Sequence, residues 1–246
     1  MVKLMDLFDN TYRLLHKSFE HLRGEFHILE TNIPVEKQME YFRYSEIVRR
    51  QKEKPTVEEA IDILDNRYTT DNEKKCAMTL LAISGDVKAY RALELYSPYI
   101  EYYVEHLKDW MELALLQAKI TLESEFSDEK QIFISTGLGG KGEMLRLYAF
   151  FKSNNLRPFS PYQVQLIEKE FPFFINEACG VIEKIEVFEN YFTLLFLVNI
   201  KSDIKYLLEN AVIECNQYGN FIDCSFIVTN VKVFDEEEIK RELRGK

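Results

Sequence analysis

The sequence has little glycine and proline, 9 and 6 of its 246 residues. This scarcity excludes collagen-like, linker-like and low-complexity chains. The longest apolar run, residues 191–198, is far shorter than the roughly 20 residues that a membrane-spanning helix needs. Because the N-terminus becomes charged after only a few residues, we expect no signal peptide, no membrane segment and a cytoplasmic location.

Closely spaced metal-ligand pairs are also missing. The four cysteines are Cys76, Cys179, Cys215 and Cys224, and the four histidines are His16, His21, His27 and His106. Neither set contains the C-x-x-C or H-x-x-x-H spacing that is typical of zinc sites. We therefore predict no metal and no cofactor.

Positive charge is scarce too, since 31 Lys and Arg face 41 Asp and Glu, for a net charge of −10. Both halves of the chain carry an excess of acidic residues. Phosphate contacts dominate nucleic-acid affinity, so this balance makes nucleic acid an unlikely partner.

The first half, residues 1–128, has the pattern of an all-helical domain. Thr56 with Glu59 and Thr70 with Glu73 form capping boxes, and Gly85 followed by Asp86 ends one helix and begins the next. The apolar and small residues between these signals recur at helical spacing. They are Ala77, Leu80, Leu81, Ala82, Ala89, Leu93, Trp110, Leu113, Ala114 and Leu115.

This stretch, roughly residues 56–126, resembles HEAT-like α-solenoid repeats. The resemblance implies stacked helix pairs that present a surface to a protein partner. An irregular helical bundle stays open as the alternative.

The second half, residues 129–246, alternates predicted strands and helices. We predict a strand over 131–136, helices over 143–153 and from Ser160 to about 178, strands over 181–188 and 191–198, a helix from Ile204 to Cys215, and a last strand over 223–234. Strand, helix, strand, strand, helix, strand is the βαββαβ order of ferredoxin-like folds. The fold class predicted is therefore α plus α+β, an N-terminal helical domain followed by a ferredoxin-like domain.

A glycine-rich loop is the segment with most chemical promise. It supplies the candidate ligand-binding residues Ser135, Thr136, Gly137, Gly139, Gly140, Lys141 and Gly142. Between a strand and a helix, such a loop presents backbone N–H groups to an anion. The loop nevertheless fails both the dinucleotide and the phosphate-loop patterns, since Gly142 stands where the latter needs a hydroxyl. A plain turn, a ligand site and a catalytic loop all stay open.

No set of residues suggests catalysis, so no catalytic residue is assigned and an enzyme is the less favoured reading. We predict a non-enzymatic interaction, scaffold or regulatory protein whose helical domain binds a protein partner, and we leave homo-oligomerisation open. The alternative is a binder of small anionic ligands, or an enzyme, that uses the loop over 135–143. RNA binding by the sheet face is the third and least favoured option.

Overall fold

The chain divides into two compact units, the first formed by Arg23–Thr136 and the second described here from Gly137 onward. A computed structural model describes residues 25–126, 131–134 and 136–244. Predictions that fall on residues 1–24, including the histidines 16 and 21, lie outside the described residues.

The first unit contains five helices in its described part, together with a short parallel strand pair. The elements are β1 (Glu25–Ile28), α1 (Val35–Arg50), α2 (Val57–Asp65), α3 (Asp71–Ile83), α4 (Val87–Tyr103), a 3₁₀ turn (Glu105–Leu107), α5 (Lys108–Phe126) and β2 (Gln131–Ile134). Strands β1 and β2 pair in parallel. Both capping boxes and the Asp86 cap form as predicted.

Helix α3 lies at the centre of this unit. It packs against α1, α2, α4 and α5, and its buried residues point in several directions, from Lys74 to Ala82. The first helix, α1, also packs against the last, α5, whereas in a solenoid each repeat contacts only its neighbours along the stack. The HEAT-like prediction is therefore not confirmed, and the helices share one common core.

The second unit is a mixed α+β structure. Its elements are β3 (Gly140–Lys141), β4 (Met144–Ser153), a 3₁₀ turn (Asn154–Leu156), α6 (Pro161–Glu177), β5 (Val181–Val187), β6 (Tyr191–Asn199), α7 (Ile204–Asn216), β7 (Ile222–Thr229) and α8 (Glu236–Arg244). The strands form one antiparallel sheet in the order β7-β4-β6-β5, and β3 pairs with the start of β4.

Alternating residues divide this sheet into two faces. Leu147, Ala149 and Phe151 of β4 pack with α6 and α7 into the main core. Phe151 and Phe192 stack at 4.6 Å with an interplanar angle of 3° across the β4–β6 pair. On the opposite face Tyr148 and Phe150 form a smaller cluster that contacts α8.

Two predictions about the first strand and the helix after it were wrong. Residues 143–153 were expected to be a helix, but Met144–Ser153 is the central strand β4. Residues 131–134, expected to be the first strand of the second domain, pair instead with β1 in the first unit. Strand β4 has partners along both edges and side chains buried on both faces, so tertiary pairing overrides its helix-forming Met, Leu and Ala residues.

Candidate functional site

The glycine-rich loop is mostly buried and engaged in backbone packing. The Thr136 carbonyl accepts a hydrogen bond from the Gln38 amide at 3.1 Å. The Leu138 N–H donates to the Asn230 carbonyl at 3.0 Å, and Gly139 accepts from the Arg146 N–H at 3.1 Å. Ser135 lies outside the described residues.

The rest of the loop forms a tight hairpin. Gly140–Lys141 pairs with the first two residues of β4, and Gly142 takes φ +58° at the turn. A positive φ at the first central residue is typical of two-residue hairpin turns. The loop therefore precedes a strand rather than a helix, and it lacks the helix N-terminus on which the expected anion site depended. A binding role for its residues stays a prediction.

A second feature, which we call the amide pocket, opens where β4 leads into α6 and α7 leads into β7. It is an open pocket of about 320 Å³. It is lined by Asn154, Asn155, Arg157, Pro158, Phe159, Gln163, Gly219, Asn220 and Phe221.

The backbone around the amide pocket takes uncommon conformations. Asn155, Leu156 and Asn220 have φ of 56°, 54° and 48°, and Gly219 has φ of 134°. Asparagine tolerates the left-handed region, but leucine seldom adopts it. Strained backbone of this kind clusters at functional sites, where the surrounding structure holds it in place.

Amide side chains fix the walls of the pocket. The Asn154 N–H donates to the Phe221 carbonyl at 2.8 Å, and the Asn154 Nδ2 donates to the Asn220 carbonyl at 2.7 Å. Asn216 braces the second wall, because its Nδ2 donates to the Ile222 carbonyl and its Oδ1 accepts from the Ile222 N–H, both at 2.9 Å. Both walls are thus held in place before any ligand arrives.

Several polar groups of the pocket stay available. Within the described part of the chain, the side chains of Asn155, Arg157 and Asn220 form no hydrogen bond and no ion pair, and all three are exposed. Among the described residues, the lining contains one cation, Arg157, and no carboxylate. In a chain of net charge −10, this combination favours an anionic ligand that also has hydrogen-bonding edges.

Two aromatic pairs lie near the pocket-lining residues, one next to Gln163 and Gly219 in the chain and one at the β5–β6 turn. Tyr162 and Tyr218 are 54% and 52% exposed, and their rings meet edge to face at 6.4 Å. Phe188 and Tyr191 stack at 4.4 Å and 13° at the β5–β6 turn. The Phe159 N–H donates to the Glu189 carbonyl at 2.7 Å, which ties the pocket to that turn.

A second cation of this unit, Arg146 of β4, is already neutralised. Its guanidinium donates through two nitrogens to the Glu183 carboxylate, at 2.5 and 2.8 Å. The same guanidinium holds the pKa of Glu183 below its ordinary value. Arg157 is therefore better placed than Arg146 to meet an external anion.

Two other kinds of site are not found among the described residues. Over 25–126, 131–134 and 136–244, no group of three or more His, Cys, Asp or Glu side chains is arranged to hold a metal ion. No helix in those ranges is both long enough and apolar enough to cross a bilayer.

Sequence reasoning treated the lining residues as a connecting segment and missed the pocket. The two asparagine-containing turns, Asn154-Asn155 and Gly219-Asn220, do carry a local signal, because Asn and Gly favour left-handed backbone. They are more than 60 residues apart in the chain, and the hydrogen bond from Asn154 to the Asn220 carbonyl spans 66 residues. Only the sheet topology brings them together.

The comparisons with known proteins find similarity at the level of solved structures alone. No family model and no curated protein matches the sequence. A candidate transposase from Deinococcus radiodurans R1 aligns with a TM-score of 0.37 and 13% identity, over 43% of this chain and 94% of that chain. A REP-associated tyrosine transposase bound to a REP hairpin aligns with a TM-score of 0.32 and 10% identity, over 47% of this chain and 67% of that one.

These comparisons contradict two predictions made from the sequence. Both structures are of transposases, and one holds a REP hairpin. The sequence predicted instead a non-enzymatic protein-interaction scaffold, with nucleic acid as an unlikely partner. A net charge of −10 is a property of the whole chain and does not report the local charge of one pocket. At such low scores the comparisons assign neither a reaction nor a binding residue to this chain.

Proposed function

We propose that this protein binds single-stranded nucleic acid, and that the amide pocket holds an unstacked nucleotide. One observation carries the proposal. The amides of Asn155 and Asn220 and the guanidinium of Arg157 border the same pocket, and among the described residues they have no polar partner and no carboxylate beside them. Side-chain amides pair with the edges of bases, and a guanidinium pairs with phosphate.

The aromatic flanks support a single strand over a duplex. Bases of an unpaired strand stack on exposed tyrosine or phenylalanine rings, whereas the bases of a duplex are already stacked on each other. The pair Tyr162–Tyr218 and the stack Phe188–Tyr191 offer two such platforms near the pocket.

We also propose that the second unit is ferredoxin-like, with its boundary in the glycine-rich loop rather than at residue 129. The element sequence β4-α6-β5-β6-α7-β7 and the antiparallel order β7-β4-β6-β5 support this assignment. This fold hosts many functions, so the binding proposal depends on the pocket and not on the fold.

The proposal is tested by fluorescence anisotropy with the full chain and a labelled oligothymidylate of about 4 nucleotides, within the site sizes of single-strand binders. Arg157→Ala should weaken binding about tenfold to a hundredfold, because a hydrogen bond to a charged group contributes about 1.5–3 kcal/mol. The same change should lower the salt slope by about 0.7, the value for one phosphate contact on a single strand.

Lys169→Ala is the matched control. Lys169 is an exposed cation of α6 with 80% of its side chain accessible, and it does not line the pocket. We expect its removal to change the affinity for the strand less than twofold, because an exposed charge that does not contact the strand is screened by salt. Equal effects of the two substitutions, or a wild-type protein that binds no single strand, would contradict the proposal.

A further inference from the structure

The outer face of the second unit's sheet carries an aromatic surface beneath the C-terminal helix. This outer face consists of Tyr148, Phe150, Tyr191, Leu195 and Ile227. Phe150 lies 5.5 Å from Tyr191, ring centroid to ring centroid. Tyr148 and Phe150 are 3% and 1% exposed, although they lie on the opposite side of the sheet from the main core.

Only a few partly buried side chains of α8 cover the outer face. Helix α8 has no fully buried residue, and it contacts the face through the partly buried side chains of Ile239 and Leu243, with Phe234 just before it. At nine residues, α8 is shorter than the roughly 12–15 residues below which isolated helices are marginal in water. Its helical state therefore depends on contact with the sheet.

Polar contacts add little to this cover. Lys232 pairs with Glu238 at 2.9 Å, with 56% and 23% of the two side chains exposed. Surface pairs of this kind contribute little net stability. Lys152 Nζ donates to the Glu242 carbonyl at a long 3.4 Å, so a phosphate would compete readily for that ammonium group.

The outer face is continuous with the amide pocket. Lys152 lies two residues before Asn154 on the same chain segment, and it pairs in register with Tyr191. The ring of Tyr191 stacks on Phe188, which is 43% exposed at the end of the sheet nearest the pocket. A single strand that leaves the pocket thus meets Phe188 and Tyr191 first, and the covered rings of Phe150 and Tyr148 beyond them.

We propose that α8 is a displaceable cover and that the outer face beneath it is a second binding surface for single-stranded nucleic acid. This inference rests on the proposed function, and it adds that a longer strand contacts a second surface beyond the amide pocket. A short strand occupies the amide pocket alone, whereas a longer strand displaces α8 and stacks its bases on the outer face. The aromatic rings match base stacking, and Lys152 is released from α8 to meet a phosphate.

The experiment compares labelled oligothymidylates of about 4 and about 12 nucleotides, a range that spans the known site sizes of single-strand binders. The full chain carries Ile239→Gln and Leu243→Gln, which remove the apolar contacts of α8. Because a cover that is closed most of the time reduces apparent affinity by the open fraction, we expect the double variant to bind the long strand about tenfold more tightly. Its affinity for the short strand should stay unchanged.

The control is the double variant Val231→Gln and Val233→Gln. Both valines are about half exposed, 51% and 50%, on the segment before α8, so the chemical change is similar but the cover stays in place. We expect no change for either strand. Adding Phe150→Leu to the uncovered variant should reverse most of the gain for the long strand, because a stacking ring is lost.

Three outcomes distinguish this inference from the proposed function. If no form of the protein binds either strand, both fail. If the short strand binds with the expected sensitivity to Arg157→Ala but removal of the α8 contacts leaves long-strand affinity unchanged or weaker, only the inference fails. If circular dichroism shows that the double variant is misfolded, hydrogen exchange on the wild-type chain tests the inference instead. The inference requires the backbone amides of α8 to lose protection when the long strand is added and to keep it with the short strand.

Discussion

The backbone carbonyl oxygen of Val231 lies 1.9 Å from the position that a β-carbon on Gly137 would occupy. The next residue, Leu138, donates its N–H to the carbonyl of Asn230 at 3.0 Å. Two backbone segments thus approach so closely that no side chain fits between them. This glycine is explained by packing against the chain that follows β7 and not by a bound phosphate.

Replacing Gly137 with alanine should therefore destabilise the protein strongly. Overpacking of this kind costs about 1–3 kcal/mol or more, and a backbone atom cannot move aside as a flexible side chain can. Gly142→Ala is the matched control, because nothing lies within 4 Å of its β-carbon and only its φ of +58° opposes the change. That strain costs about 1–2 kcal/mol.

Urea unfolding followed by far-ultraviolet circular dichroism measures the difference. We expect Gly137→Ala to lower the free energy of unfolding clearly more than Gly142→Ala. Equal losses would mean that the Gly137 and Val231 segments separate easily, and the packing explanation would be wrong.

The local signals in the sequence predicted many elements correctly. Both predicted capping boxes form, at Thr56 and Thr70. The helix predicted from Ile204 to Cys215 is α7, and it buries six residues at helical spacing. Caps and helical periodicity are properties of a few neighbouring residues, so they can be recognised without knowledge of the fold.

Two features that depend on distant pairing, strand β4 and the amide pocket, were not predicted. Strand β4 has the near-continuous apolar run of a strand covered on both faces, and over ten residues such a run is hard to distinguish from a buried helix. The amide pocket was missed for a related reason. Its polar groups acquire meaning only when the β4–β7 pairing sets Asn154 beside Asn220.

The ion pair between Arg146 and Glu183 should make stability depend on pH. The hydrogen bonds from Arg146 lower the pKa of Glu183, so the pair stabilises the fold above the unfolded pKa of about 4.3. This stabilisation is lost as the pH falls through the lower folded pKa, where the carboxylate becomes protonated. Glu183→Gln should cost about 1 kcal/mol near pH 7, a modest value because both side chains are partly exposed.

Unfolding free energies at several pH values between about 3 and 7 check this prediction. The difference between wild type and Glu183→Gln should shrink steadily as the pH falls. Glu186→Gln on the same strand is the control, since its partner Lys184 is 60% exposed and such pairs contribute little. A pH-independent loss for Glu183→Gln would show that the effect comes from packing and not from ionisation.

The asparagines of the amide pocket should separate binding from stability. Asn155 and Asn220 both have positive φ, so replacing either with glycine relieves backbone strain in the folded state. Glycine also raises the conformational entropy of the unfolded chain, which lowers stability and offsets that gain. We expect the free energy of unfolding to change by less than about 0.5 kcal/mol. Single-strand affinity should fall about fivefold per variant, the usual effect of losing one hydrogen bond.

Cys179→Gly provides the control for this experiment. Cys179 has φ of 56° and is exposed, but it does not line the pocket. The backbone change is therefore the same without the loss of a pocket amide. If Cys179→Gly weakens binding as much as Asn155→Gly does, backbone flexibility rather than recognition by the amides is responsible.

Tyr162 and Tyr218 should act as stacking platforms, with an effect independent of salt. Stacking of a base on an aromatic ring contributes about 1–3 kcal/mol, so either Tyr→Ala change should weaken single-strand binding by about fivefold to a hundredfold. Tyr206→Ala is the control, because Tyr206 is 67% exposed on α7 and, unlike Tyr162 and Tyr218, has no pocket-lining neighbour in the chain. Titrations at several salt concentrations then separate stacking from phosphate binding. The tyrosine variants should keep the wild-type salt slope, because stacking releases no counterion. Arg157→Ala should reduce that slope. A tyrosine variant with normal affinity, or one that loses the salt dependence, would place the strand elsewhere on the protein.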